Sequence, residues 1–254
     1  MRTSIKYIVI LSVFTNVNAR AEIYLAGKLG SSIESTVKRQ FSVGEYNVST
    51  KEPASAEADL GHSSDSVMFS GIGVGYNFKK NTDLPFRLEV EYVNRQSTTQ
   101  LSQQKGLDFD LLVPNNGDNE LSYSTKTKSR QLMLNGYLDY YTKSGFNPFI
   151  NIGIGRTVTN TAFRSDYRVF QNRGTIESSL ESKMKYAWSI GMGLSKEIDE
   201  DWLLNLGYSF THIGKLIAEK SWVSNDFGFE ANLKSESKIN IQYHDLYFSL
   251  VHKF

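Results

Sequence analysis

The chain of 254 residues carries 28 Lys and Arg against 27 Asp and Glu, for a formal charge of +1, and it contains no cysteine. So even a balance lacks the basic face of a typical nucleic-acid binder, and no such partner is expected. The missing thiols exclude disulfide frameworks, Cys-based zinc sites and Cys nucleophiles. Fourteen Tyr and 15 Phe beside only 4 Pro suit strands.

The N-terminus reads as an export signal. Arg2 and Lys6 form a short basic region, Tyr7 to Phe14 an apolar one, and Ala19-Arg20-Ala21 supplies a small-x-small cleavage pattern. The apolar run is far shorter than the roughly 20 residues a membrane-crossing helix needs. Residues 1–21 are therefore expected to be removed after Ala21, leaving 22–254 as one exported domain.

From there the period is two. Ile23, Leu25 and Leu29 alternate with Tyr24, Ala26 and Lys28. Met68, Ile72, Val74, Tyr76 and Phe78 alternate with Phe69, Gly71, Gly73, Gly75 and Asn77. In Phe86 to Tyr92, the apolar Phe86, Leu88, Val90 and Tyr92 oppose Arg87, Glu89 and Glu91, a separation that only a strand achieves at this spacing. The pattern recurs in Leu132 to Tyr140, Ile150 to Gly155, Met184 to Ser195, Trp202 to Thr211 and Asp245 to Phe254. The polar face is rich in Gly, Ser, Ala and Asn, which suits a narrow lumen better than a water-facing sheet. Aromatic residues such as Tyr76, Tyr92, Tyr140, Trp202 and Phe254 gather at the ends of the apolar face, as in membrane girdles. Both features favour an all-β transmembrane barrel, antiparallel and up-and-down, over a secreted sandwich. Gly71, Gly73 and Gly75 lie within a strand, so they are no nucleotide loop.

Connections alternate in length. Lys79 to Pro85, Tyr141 to Asn147 and Asp199 to Asp201 are short. Ser32 to Ser66, Val93 to Ser129, Arg156 to Ser182 and Gly214 to Asn240 are long. Short periplasmic turns and long extracellular loops are the habit of outer-membrane barrels, with both termini in the periplasm. Eight strands are expected. Ala162 to Phe170 and Thr175 to Ser182 flank a turn at Asn172-Arg173-Gly174 and read as a hairpin continuing above the membrane; counting such extensions gives ten as the alternative. The loops around Ser42 to His62 and Ser97 to Tyr123 are polar.

Lys28, Arg87, Glu89, Glu91, Asp139 and Asp245 all take lumenal parity, and Lys253 does so near the end. They are expected to form a charge network filling a narrow interior. His212 and His244 lie on the outward face of adjacent strands, whereas Ser209 and Ser249 face inward, which weakens any Ser–His pairing. His62 and His252 have no evident partner. No catalytic, cofactor or metal-ligand set stands out.

The chain closes on Asp245-Leu246-Tyr247-Phe248-Ser249-Leu250-Val251-His252-Lys253-Phe254. Together with Gly71-Ile72-Gly73-Val74-Gly75-Tyr76-Asn77-Phe78 and Pro148-Phe149-Ile150-Asn151-Ile152-Gly153-Ile154-Gly155, this resembles the opacity-type, OmpA-like eight-stranded outer-membrane barrels. Within them it is similar to surface antigens of rickettsia-like bacteria. The resemblance implies a multi-pass protein of the bacterial outer membrane, with Leu246, Phe248, Leu250 and terminal Phe254 read by the barrel-assembly machinery. It implies adhesion, surface antigenicity or envelope integrity. Surroundings of outer-membrane lipid and lipopolysaccharide, contact with host surface molecules, and a monomeric state are expected; no cofactor is. The long loops, carrying Phe41, Tyr46, Phe163, Tyr167, Phe170, Trp222, Phe227 and Phe229, are the expected binding surface. A small porin-like channel is the alternative, and an enzyme at the rim, a lipid A deacylase or a protease, stands behind it.

Overall fold

The computed structural model describes residues 22–46, 53–59, 61–78, 85–105, 120–169, 172–224 and 231–254. The proposed signal, with Ala19 and Ala21, lies outside them. Ten strand segments follow in order: β1 (Glu22–Tyr46), β2 (Pro53–Asp59), β3 (Ser63–Asn77), β4 (Phe86–Arg95), β5 (Thr98–Lys105), β6 (Glu120–Asp139), β7 (Phe146–Val169), β8 (Asn172–Glu197), β9 (Trp202–Ser224) and β10 (Ala231–Lys253). Every ladder is antiparallel, and β10 pairs with β1 from Tyr24↔Lys253 to Tyr46↔Asn232, which closes the sheet. Closure leaves no strand edge unpaired in lipid.

The ten segments make eight staves. β2 lies in line with β3: Gln40↔Asp59 and Thr36↔Ser63 belong to one register along β1, interrupted near Gly61, whose φ is 64°. β5 likewise continues β4 along β6, with one extra residue between Asn94↔Arg130 and Thr98↔Thr127. The count of ten is therefore set aside, because β2 and β5 lengthen existing staves instead of adding new ones.

The segments expected as long loops are largely paired strand. β7 runs to Val169 and β8 starts at Asn172, while β9 reaches Ser224 and β10 starts at Ala231. Above the membrane the outward residues are polar, so the contrast between faces that marks a strand disappears. Asn172, Arg173 and Gly174 are in β8, opposite Val169, Arg168 and Tyr167, so they belong to the ladder and form no turn. The glycine that suggested a turn occupies an ordinary ladder position.

Chemistry alone builds the periplasmic turns. Asp199 Oδ1 accepts from the backbone N–H of Asp201 (2.9 Å) and of Trp202 (2.8 Å), an Asx turn. Asn147 Oδ1 accepts from Thr142 N–H at 2.9 Å, and Thr142 Oγ1 donates to Phe146 O at 2.6 Å, beside Gly145 at φ 72°.

β10 shows how the faces divide. Leu246, Phe248 and Leu250 point outward and are exposed, while Asp245, Tyr247, Ser249 and Val251 are buried in the lumen. Above Asp245 the parity holds but the chemistry swaps. Tyr243, Ile241 and Ile239 are buried inside, and Asn240, Gln242 and His244 face out. The inside-out rule of a membrane barrel gives way there to the apolar-inside rule of a protein in water. Below the swap the lumen is polar and charged. Above it, Tyr123, Met133, Phe163, Ile213, Leu216, Ile239, Ile241 and Tyr243 form an apolar cluster. A bulge aims β9 into this cluster: Gln242 pairs with His212 and Ile241 with Gly214, whose φ is 88°, leaving Ile213 as the extra residue.

Lumenal rings lie over glycines of neighbouring staves: Tyr24 on Gly75, Phe69 on Gly30, Phe149 on Gly193 and Tyr247 on Gly207. A Cβ at any of these glycines would overlap the ring. Gly75→Val should therefore displace Tyr24 and cost about 1–3 kcal/mol by overpacking. Gly27→Val, where nothing lies within 4 Å, should be nearly neutral. Urea midpoints of the two variants refolded into vesicles check this; equal midpoints would contradict it.

Candidate functional site in the lumen and at the outer surface

The lumenal half of each stave delivers its charges at alternate positions. Arg87 on β4 grips Asp139 on β6 in a two-point fork, Nε to Oδ2 at 2.6 Å and Nη2 to Oδ1 at 2.7 Å. Its guanidinium lies 4.7 Å from the centre of the Tyr137 ring. Lys28 on β1 reaches Glu91 at 2.5 Å and sits over Tyr247 at 4.3 Å. Asn135 donates to the other Glu91 oxygen at 2.8 Å, and the Tyr137 hydroxyl donates to Glu89 at 3.0 Å. The six lumenal residues singled out from the sequence thus include two ion pairs, with Glu89 held by a phenol. Lys253 stands at the periplasmic rim, 3.7 Å from Glu197.

Asp245 finds a partner that the sequence did not suggest. Arg95 pairs with it through Nη2, donates from Nη1 to Gln131 at 2.5 Å and from Nε to Ser32 at 3.2 Å, and lies 4.2 Å from the Tyr243 ring centre. Only 1% of Arg95 is exposed. Glu34 is buried above it, accepting from Thr98 at 2.9 Å, Tyr243 at 3.1 Å and Gln100 at 3.3 Å. Neither residue was visible as lumenal, because Val93 to Ser129 and Ser32 to Ser66 read as loops. The available signal was the odd parity of Arg87, Glu89 and Glu91, which continues unbroken through Val93 to Arg95.

The space left at the level of Lys28, Glu91, Arg95 and Asp245, about 20 Å³, holds roughly one water. Among the described residues, Asp139, Glu91 and Asp245 are paired with cations and Glu89 is held by a phenol, and together they fill the interior. His244 Nδ1 is 2.7 Å from the Tyr208 hydroxyl, and His212 Nδ1 is 3.4 Å from Gln242. Both face outward, and among the described residues neither imidazole bonds a serine. His252 packs between the rings of Trp202 and Phe254. At the periplasmic rim, burial beside Asp139 pushes the Tyr141 phenol up to about 12.

The end of the chain is stitched to its beginning. Leu246, Phe248 and Leu250 face lipid, and Phe254, 68% exposed, donates its backbone N–H to Ile23 O at 2.9 Å. Of the aromatic residues expected on binding loops, Phe163 is instead buried, 5.9 Å from Tyr123. It shares parity with Phe149 on β7, so the extension of that strand carries it into the lumen. Phe41, Tyr46, Tyr167 and Trp222 lie in strands, with side chains outside the described set, and Phe170, Phe227 and Phe229 are outside it altogether.

The chain is similar to outer membrane protein PagN of Salmonella typhimurium, 26% identical over 226 residues that cover 87% of each protein. It is similar to a candidate adhesin of Rickettsia conorii, 22% identical over 207 residues, 79% of this chain and 77% of that one. Among solved structures, Neisserial surface protein A aligns with 92% of this chain and 99% of its own, at 14% identity and a TM-score of 0.42. Residues 74–235 match the family model described as opacity family porin protein. That match runs from β3 into β10, well over half of the chain, so the protein belongs to the opacity family and is a multi-pass β-barrel of the bacterial outer membrane.

Proposed function

We propose that the protein is an adhesin: a sealed barrel that holds paired hairpins clear of the membrane so that their tips bind molecules on a host cell. One observation carries this reading. On β7 the lipid-facing residues end at Ile154, yet the strand stays paired with β8 up to Val169↔Asn172. Fifteen further residues correspond to roughly 45–50 Å of ladder along the strand. A ladder of that length has no use in crossing lipid, and it is supported from within by the apolar cluster. Loops on a rigid scaffold are where binding usually resides, and the similarity to a candidate adhesin supports the same assignment. Within this reading residues 1–21 are a cleaved signal, the network around Arg87 and Lys28 stiffens the scaffold, and Leu246, Phe248, Leu250 and Phe254 present the assembly signal.

Replacing residues 160–182 by an Asn-Gly turn joins Thr159 to Lys183, which already face each other. This variant, like the full-length barrel, should reach the outer membrane and shift on heating in detergent gels. Bacteria carrying it should adhere to cultured host cells about tenfold less. Undiminished adherence with an intact barrel would overturn the proposal.

A further inference from the structure

The outward face of β6 changes character within one residue pair. Leu134 and Leu132 are exposed on the lipid-facing side, and the next three outward positions are Arg130, Lys128 and Lys126. Residues on one face of a strand lie about 7 Å apart, so the three cations climb roughly 14 Å from the upper edge of the apolar belt. The neighbouring stave repeats the step: Ile154 is exposed to lipid, and the next outward residue is Arg156. The register sets Arg156 opposite Leu132 and Val158 opposite Arg130. Arg156 lies 5.4 Å from the Tyr186 ring centre and 3.6 Å from the Met184 sulfur, so aromatic and thioether groups hold it at the belt edge. On the other flank Asn94 faces Arg130. A groove beside them is lined by Gly71, Ile72, Tyr92, Asn94, Lys128 and Arg130.

These cations differ from the others nearby. Lys28, Arg87 and Arg95 are each paired with a carboxylate in the lumen, and Arg164, higher on β7, is paired with Asp166 at 3.1 Å. Among the described residues Lys126, Lys128, Arg130 and Arg156 have no ion pair. Four like charges on adjacent staves repel one another unless an anion lies among them. Their place, directly above Leu132 and Ile154, selects an anion that carries apolar chains.

We propose that this face of β4, β6 and β7 binds a phosphorylated glycolipid of the outer leaflet, of the lipid A class. Its phosphates sit among Arg130, Lys128 and Arg156, where guanidinium forks match phosphate oxygens. Its acyl chains lie down Leu132, Leu134 and Ile154 and beside Tyr92 and Ile72 in the groove. A soluble polyanion would use the same cations but would gain nothing from the belt beneath them. The site is independent of what the hairpin tips bind.

The test uses the full barrel in phosphatidylcholine nanodiscs, with bound lipid read by native mass spectrometry. The comparison is wild type against Lys128→Gln/Arg130→Gln/Arg156→Gln, outward-facing residues of which Arg130 and Arg156 are exposed and Lys128 half-buried, and whose replacement should leave heat modifiability unchanged. Bisphosphorylated lipid A should bind the wild type at least tenfold more tightly than the triple variant. Lipid A stripped of both phosphates should bind the two proteins alike. Lys128→Arg should retain binding, which a merely steric effect would not distinguish. Two results would overturn the proposal. One is equal retention of bisphosphorylated lipid A by wild type and triple variant. The other is displacement of the lipid by millimolar inorganic phosphate or by a sulfated oligosaccharide, which would assign the cations to a free anion or a soluble polysaccharide.

Discussion

Arg95→Met should lower the stability of the refolded barrel by about 3–5 kcal/mol, the cost of stripping one partner from a buried ion pair. Arg95 belongs to β4, yet it bonds Ser32 on β1, Gln131 on β6 and Asp245 on β10, and it stacks on Tyr243. Four of the eight staves therefore meet at one side chain. Without it Asp245, only 4% exposed, keeps a buried carboxylate whose ion-pair partner is gone. Gln131 and Ser32 lose a donor at the same time. The shape can be kept while the charge is removed, so Arg95→Met/Asp245→Leu should recover most of the loss. Urea unfolding in vesicles, followed by tryptophan emission and by the heat-dependent gel shift, reads both. A double variant as unstable as Arg95→Met would mean that packing against Tyr243, and not the buried charge, sets the cost.

Arg95 also marks how far the sequence alone could be read. Where a stave crosses lipid, one face must be apolar, and the period of two is plain: Leu88, Val90 and Tyr92 against Arg87, Glu89 and Glu91. The lumenal parity of Lys28, Asp139 and Asp245 followed from that contrast alone. A few residues higher both faces become polar or exchange roles. Asn94 and Gln96 face out beside Arg95, and Ile239 and Ile241 face in beside Asn240 and Gln242. A reader who takes apolar residues as lipid-facing loses the strand at that point and reads loop. Partner choice was hidden for another reason. Arg87 stands opposite Tyr137 and reaches Asp139 diagonally, through a register that alternation does not fix, and Arg95 finds Asp245 across 150 positions of sequence. The basic column on β6 was legible as residues, but its meaning depends on the level at which Leu132 ends the belt.

The reconstituted barrel should carry no steady ion current in a planar bilayer, although its family is described as porins. An ion entering from the periplasm first meets Arg87 and Asp139, then Lys28 and Glu91, each buried and each paired. Room at that level amounts to about one water, so a hydrated ion cannot pass without breaking a pair. Above it lies the apolar cluster, where Leu216, Ile241 and Tyr243 have no accessible surface. Thr157, Thr159 and Thr127 are buried as well. Glu34, buried there, is already occupied by Tyr243, Thr98 and Gln100, so a bare ion moving through this filled layer meets a desolvation cost on the order of tens of kcal/mol before any compensation. Glu89→Gln should be equally silent, since the residue serves Tyr137 and not a conduction path. Reproducible single-channel steps that shrink in Glu89→Gln would show that the pairs open under voltage. The lumen would then be a gated route, and the stiffness ascribed to Arg87, Lys28 and Arg95 would have to be given up.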